Sequence, residues 1–439
     1  MTRAEIFIGT IINPSKDKIS IDVIENGFII VNDSKIVGLG QHKDLENTLS
    51  TIPELSTIYV PRVTLKKNQF LIPGFIDTHI HAPQYPNAGL GYDEPLLEWL
   101  NKYTYNLESK YSDLKFSEKV YNAVVNKTLS YGTTTACYFA SMFKDSSLVL
   151  VNAAIDQGQR AFIGKINMIR LAPDNYVETA VDSLNHTVEF IETVIAKGSD
   201  LVQPVITPRF ALSVDAKLMS QLGLLAQKYN LVIQTHISEN VDEVEMVHDM
   251  YNGSSYADVY NAAGLLTKKT VLAHGVYLTE EERTLLAAKG TSISHCPNSN
   301  TRLKSGLCDV RKLQESGINI GLGTDVAGGA SASIIDAMRC AIDTSTHLTH
   351  MIKDSKPITY YEAFYMATMG GAIALDISDK VGSLEVGKDF DALIVDMDVP
   401  DSSAHLLEDY AADELLQKFV FLGDDRNVQS VYVAGKKVK

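Results

Sequence analysis

Apolar positions along this chain fall into two textures. From Ile6 to about Phe70 they come in short runs, IFIGTII, GFIIVNDSKIVGLG and STIYVP, broken by Asn, Asp, Ser and Gly. β-branched runs between such turn-formers read as strands. The last stretch repeats the pattern in GSLEVGKDFDALIVDM and QSVYVAGKKV, with Asp389 and Asp391 among its turn residues. The two ends, residues 1–70 and 381–439, are therefore expected to pair into one small β-sandwich domain.

Between residues 71 and 380 longer apolar runs alternate with helical pattern. Eight runs read as strands: FLIPGFIDTHIH, TTTACYFA, AFIGKINMI, VQPVITPRFAL, LVIQTHISE, TVLAHGVYL, TSISHCPNSN and INIGLGTDVAG. Most gaps hold a helical stretch, such as FSEKVYNAVVNKTLSYG or DAKLMSQLGLLAQKYN, closed by Gly or Asn as helix C-termini are. Near-continuous apolar strands alternating with helices predict a parallel sheet. Eight of them in about 310 residues suit an α/β fold of the (β/α)8 TIM-barrel type. A doubly wound open sheet is the alternative, but no GxGxxG opens a helix after the first strand.

A barrel would carry its chemistry at the C-terminal ends of the strands. The runs end there in reactive polar residues: His79 and His81, Arg209, His236 with Glu239, His274, His295 and Asp325. Ordinary strand ends carry arbitrary turn residues.

Composition narrows the partners. Hydrophobic residues make up 45% and charged residues 21% of 439, normal for a globular chain with a real core. The formal net charge of −15, with no Lys/Arg-rich block, argues against a nucleic-acid partner and for a small substrate, uncharged or weakly charged. Cys137, Cys296, Cys308 and Cys340 show no CxxC spacing, so reduced thiols in the cytosol are expected. The N-terminal apolar run is too short for a signal peptide, and no run of 18 apolar residues predicts a membrane span. The expectation is a cytoplasmic protein without a membrane partner.

Each reactive residue has a plain alternative. In a strand, i and i+2 point to one side, so His79 and His81 can reach the same metal ion. HxH alone fits equally well two histidines satisfied by backbone groups. A lone His236 at a strand end is more often structural than ligating, and Glu239 could be a proton carrier beside a metal or simply the first charge of a helix at SEN and VDEVE. Asp325, among small residues in GLGTDVAGG, is costly to bury unless paired or bound to a cation, yet it could also serve an Asx-type turn. His295 precedes CPNSN, which more readily supplies turns. His42, His186, His248, His347, His350 and His405 fall in helical or terminal stretches and read as surface or core. Together, the histidines of strands one, five and six and the aspartate of strand eight would converge at a barrel mouth. Imidazole nitrogens, a carboxylate and an open position for water describe a catalytic zinc or iron site.

At this point the residues resemble the amidohydrolase superfamily, in which HxH, His, His and Asp occupy those strands. Within it, PGFIDTHIHAPQYPNAG, PLLEWLNKYT, GTTTACYFA, TPRFALS, HISEN, AHGVYL, SHCPNSN, GLGTDVAGG and FLGDDRN resemble the corresponding segments of the guanine deaminases. The resemblance runs from about Leu71 to Asn427. It implies one Zn²⁺ per subunit on His79, His81, His236 and Asp325. Strand four runs into Thr207, Pro208, Arg209 and Phe210, with no lysine to bridge a second ion. It implies Asp325 and Glu239 as proton carriers and His274 as the group that steadies the oxygen of the tetrahedral centre. It implies guanine as substrate, contacted by Gln84, Arg209 and Phe210 and flanked by His81, His236, Glu239 and Asp325. A homodimer is implied as well.

Two other readings remain open on the sequence. Adenosine, S-adenosylhomocysteine or triazine deaminases share the metal ligands but not PRF or the HAPQ loop. A catalytically dead scaffold on the same fold would not need the full set of ligands and Glu239. Zinc deaminases of the cytidine type need H-x-E with P-C-x-x-C, and neither is present.

Overall fold

The structure is a computed structural model that describes residues 4–439. Strands from both ends of the chain make one hydrogen-bonded eight-stranded sheet rather than two separate sheets. Its path runs Lys436–Lys437, Val428–Val433, Ala392–Asp396, Gln69–Pro73, Ala4–Pro14, Ile21–Asn32 and Lys35–Gln41, with Arg62–Thr64 beside Ala4–Pro14. Ile6, Ile8, Phe28 and Ile30 form one apolar cluster, and Phe7, Ile11, Ile29 and Val31 form another. The alternation of strand side chains separates the two sets.

The run FLIPGFIDTHIH forms two strands in two sheets. Gln69–Pro73 pairs antiparallel with Ala392–Asp396, whereas Phe75–His81 pairs parallel with Thr133–Phe139. The chain crosses at Gly74, where a Cβ would fall 2.2 Å from the Thr134 side chain. Only glycine lets the backbone pass that close.

Parallel strands alternate with helices through the middle of the chain. One set is Phe75–His81, Thr133–Phe139, Arg160–Gly164 and Val202–Pro204. The other is Ile233–Ile237, Thr270–His274, Ser292–His295 and Ile320–Leu322. Ile206 links them, donating to Val232 O and accepting from Gln234 N at 3.0 and 2.9 Å. At the other margin Asp325 N donates to His79 O at 2.9 Å and His81 N donates to Val326 O at 3.0 Å. These bonds join the first strand to the segment that follows the eighth. All strand residues except Gln203 are buried, as expected of a parallel sheet covered by helices.

The helices follow from their sequence signals. Ala216–Tyr229 starts where the Asp215 carboxylate accepts from Leu218 N and stops at Asn230, φ +54°. It buries Leu218, Leu222 and Ala226, spaced four apart, and truncating Leu222 to Ala would cost about 2–5 kcal/mol. No helix among the described residues is long and apolar enough to cross a membrane.

Candidate active site

Five polar side chains from four strand ends meet at one place. His79 and His81 project from Phe75–His81, His236 from Ile233–Ile237, His274 from Thr270–His274, and Asp325 from just beyond Ile320–Leu322. His79 Nε2 and His81 Nε2 lie 3.2 and 3.4 Å from Asp325 Oδ1, and His274 Nε2 lies 3.8 Å from Asp325 Oδ2. His81 Nε2 and His236 Nε2 are 3.1 Å apart. The backbone is strained there: Ser238, His274 and Asp325 have φ of +48°, +77° and +45°. Each such non-glycine residue costs about 1–3 kcal/mol, which local sequence preference does not supply.

Partners outside the cluster turn the imidazoles inward. His79 Nδ1 meets Gln234 Oε1 at 2.6 Å, His236 Nδ1 meets the Arg209 carbonyl, and His274 Nδ1 meets Asn300 Oδ1 at 2.8 Å. Each acceptor takes the Nδ1 proton, so each Nε2 keeps its lone pair for the centre. Burial, then neighbouring imidazoles, holds the pKa of His81 and His236 well below the usual range. Burial pulls His274 down to about 4. Burial alone would raise Asp325, but the adjacent His79 more than reverses it. Neutral imidazoles around a carboxylate are the protonation states that ligation requires.

Ligand atoms of His79, His236, His274 and Asp325 all fall within 4.8 Å of one another, close enough to share a metal ion. His81 lies outside that set, although its Nε2 touches both His236 and Asp325. The Nε2 atoms of His79 and His274 are buried with no hydrogen-bond partner among the described residues. Buried lone pairs without donors are costly, and a cation among them removes the cost. The residues present therefore fit a divalent ion.

Glu239 sits beside this cluster. Asn240 and Glu243 form the capping box of the helix Val241–Met250, with Glu243 Oε2 accepting from Glu239 N at 2.9 Å. The helix start is thus satisfied by Asn240 and Glu243. The Glu239 side chain accepts from Ser305 Oγ at 3.1 Å and stands 3.3 Å from His274 Nε2. Burial, then the Asp325 charge, pushes its carboxyl well above the usual range.

A cleft opens over the cluster, reached by His81, His236, Glu239, His274 and Asp325. Gln84, Arg209 and Phe210 line it too, with Leu96, Trp99 and Leu100. His295 lies buried at the end of its strand, outside the set that can share an ion. Four supporting residues escape sequence reading: Gln234, Asn300, Ser305 and Glu108. Only Gln234 carried a local signal, since it precedes His236 by two and faces the same side of its strand.

The chain belongs to the amidohydrolase family, whose profile matches residues 70–438. Within that family, it is 43% identical over 445 residues to the guanine deaminase of Dictyostelium discoideum, covering 99% of this chain and 98% of that protein. It is 47% identical over 380 residues to the guanine deaminase of Rattus norvegicus, covering 85% and 84%. The crystal structure of guanine deaminase from C. acetobutylicum with bound guanine in the active site matches with a TM-score of 0.90 at 36% identity, over 99% of this chain and all of that one.

Proposed function

We infer that this chain is a guanine deaminase, a hydrolase that converts guanine and water to xanthine and ammonia. The observation that carries the reading is the buried convergence of inward-facing imidazoles on Asp325, beneath a cavity lined by Gln84, Arg209 and Phe210. Relatives named guanine deaminase at 43–47% identity over most of the chain give the substrate.

We propose one Zn²⁺ per subunit, which His79, His81, His236 and Asp325 would hold, with His274 beside them. Such an ion lowers the pKa of water from 15.7 toward about 7 and polarises an acceptor oxygen. Asp325 takes a proton from the attacking water as its oxygen bonds to C2 of guanine. Glu239, its carboxyl kept high by burial, carries a proton to a ring nitrogen. His274 steadies the oxygen on C2. Its Nδ1 is held by Asn300, which aims Nε2 at that position. The C2–N bond then breaks as the departing nitrogen takes the proton held by Asp325, the hydroxyl proton on C2 returns to Glu239, and ammonia and xanthine remain. Gln84 offers a donor and an acceptor to the purine edge, Arg209 donates to O6, and Phe210 packs on the ring.

The hydrogen bonds of Asp325 and His81 to the opposite strand, with those of Ile206, support a closed (β/α)8 barrel over residues 71–380, flanked by a β domain from 1–70 and 381–439. A homodimer in the cytoplasm rests on the family resemblance. The decisive experiment is guanine turnover, followed by ultraviolet absorbance, with metal content measured on the same sample. A zinc-loaded protein that leaves guanine untouched while consuming adenosine would overturn the substrate assignment.

A further inference from the structure

Glu108 has no place in the chemistry above. It ends the short helix Tyr105–Glu108, is fully buried, and does not reach the cavity. Its Oε1 accepts from Gln84 Nε2 at 2.9 Å and from an Arg209 guanidinium nitrogen at 3.2 Å. Its Oε2 accepts from the other terminal nitrogen of Arg209 at 2.6 Å. One carboxylate thus grips from behind two residues that line the cavity. The Tyr105 ring lies 5.2 Å from the guanidinium carbon of Arg209 and further limits its movement.

The grip decides which atoms Gln84 and Arg209 present. With Nε2 committed to Glu108 and Oε1 accepting from Ala327 N at 3.2 Å, the Gln84 amide cannot flip without losing both bonds. Arg209 has five N–H donors and no acceptor, and Glu108 occupies two of them. What remains to Arg209 is donors only, which match a purine edge bearing acceptors. Guanine offers O6 and N7 as acceptors, whereas a 6-amino purine opposes a donor with a donor.

We propose that Glu108 is a positioning residue that sets the preference for a 6-oxo over a 6-amino purine by locking Gln84 and Arg209. Stability alone does not call for it, because a buried ion pair is commonly replaceable by apolar residues at no loss. The proposal rests on the guanine reading of the site.

Hypoxanthine and adenine test it, since neither carries the 2-amino group that leaves and they differ at position 6. Their Ki values as competitive inhibitors are measured on zinc-loaded wild type, Glu108→Gln and Glu108→Asp, with zinc content and guanine turnover recorded in parallel. Wild type should bind hypoxanthine about tenfold or more tightly than adenine. Glu108→Gln should bring the ratio to within about threefold while keeping its zinc, and Glu108→Asp, which retains the charge, should fall between. Equal weakening of both inhibitors would mean that Glu108 only supports the fold, and a wild type without preference would sink the proposal as well. Should Glu108→Gln not fold, a Glu108→Asp ratio equal to that of wild type overturns it. A wild type that prefers hypoxanthine but leaves guanine unconverted would refute the deaminase reading alone.

Discussion

His81 and His236, on the first and fifth parallel strands, face each other Nε2 to Nε2 at 3.1 Å. Both are buried and held neutral, and His236 Nδ1 donates to the Arg209 carbonyl. Two lone-pair atoms brought that close need a cation or a shared proton between them.

His81→Ala and His236→Ala should therefore each lose zinc and guanine turnover together. His274→Ala should keep its zinc and lose turnover. Metal analysis of the three variants decides the ligand set. Zinc retained by His81→Ala but lost from His274→Ala would give the ligand role to His274.

Glu239→Gln should keep zinc and lower kcat by about 10²–10⁴, the usual contribution of a positioned proton carrier. Its amide can still accept from Ser305 but carries no titratable proton. Zinc lost in proportion to activity would make Glu239 a ligand instead.

Arg160 ties the parallel strands to the terminal sheet. It donates to both carboxylate oxygens of Asp391 at 3.1 Å and to Asp389 at 3.0 Å, all buried or nearly so. Arg160→Ala leaves the Asp391 charge buried without its partner and should cost about 3–5 kcal/mol in denaturant unfolding. Arg160 starts its strand, at the end remote from the site, so turnover per folded molecule should stay near that of wild type. A stability loss under about 1 kcal/mol would mean that the pair is replaceable there.

His295 should make the fold acid-sensitive. Both its ring nitrogens are buried without partners among the described residues, and burial, then the charge of His274, lowers its pKa from 6.5 to about 3. Below pH 6.5 the unfolded chain binds a proton that the folded chain refuses, so stability falls as pH drops from 6.5 toward 3. The loss from this residue reaches about 1.4 kcal/mol by pH 5.5. In urea unfolding at pH 7.5 and 5.5, His295→Asn should show a difference smaller than that of wild type by that amount. An identical pH difference in both proteins would contradict a buried neutral His295.

Much of this molecule is legible in its sequence. The period-two placement of His79 and His81 puts them on one side of a strand whatever surrounds it. Apolar runs alternating with capped helices specify parallel strands, and GLGTDVAGG marks Asp325 as a residue in need of a partner. Those signals are local, carried by residues within a turn or a strand of each other. The partners that set protonation and direction are not. Gln234 meets His79 across 155 positions, Arg209 meets Glu108 across 101, and Arg160 meets Asp391 across 231. Nor does periodicity reveal that FLIPGFIDTHIH divides at Gly74, because both halves are apolar and extended and differ only in which sheet receives them. The sequence alone determined the elements and the reactive groups at their ends. Only the tertiary structure decided which backbone and carboxylate groups would face those residues, because burial and long-range hydrogen bonds arise once the strands are packed side by side.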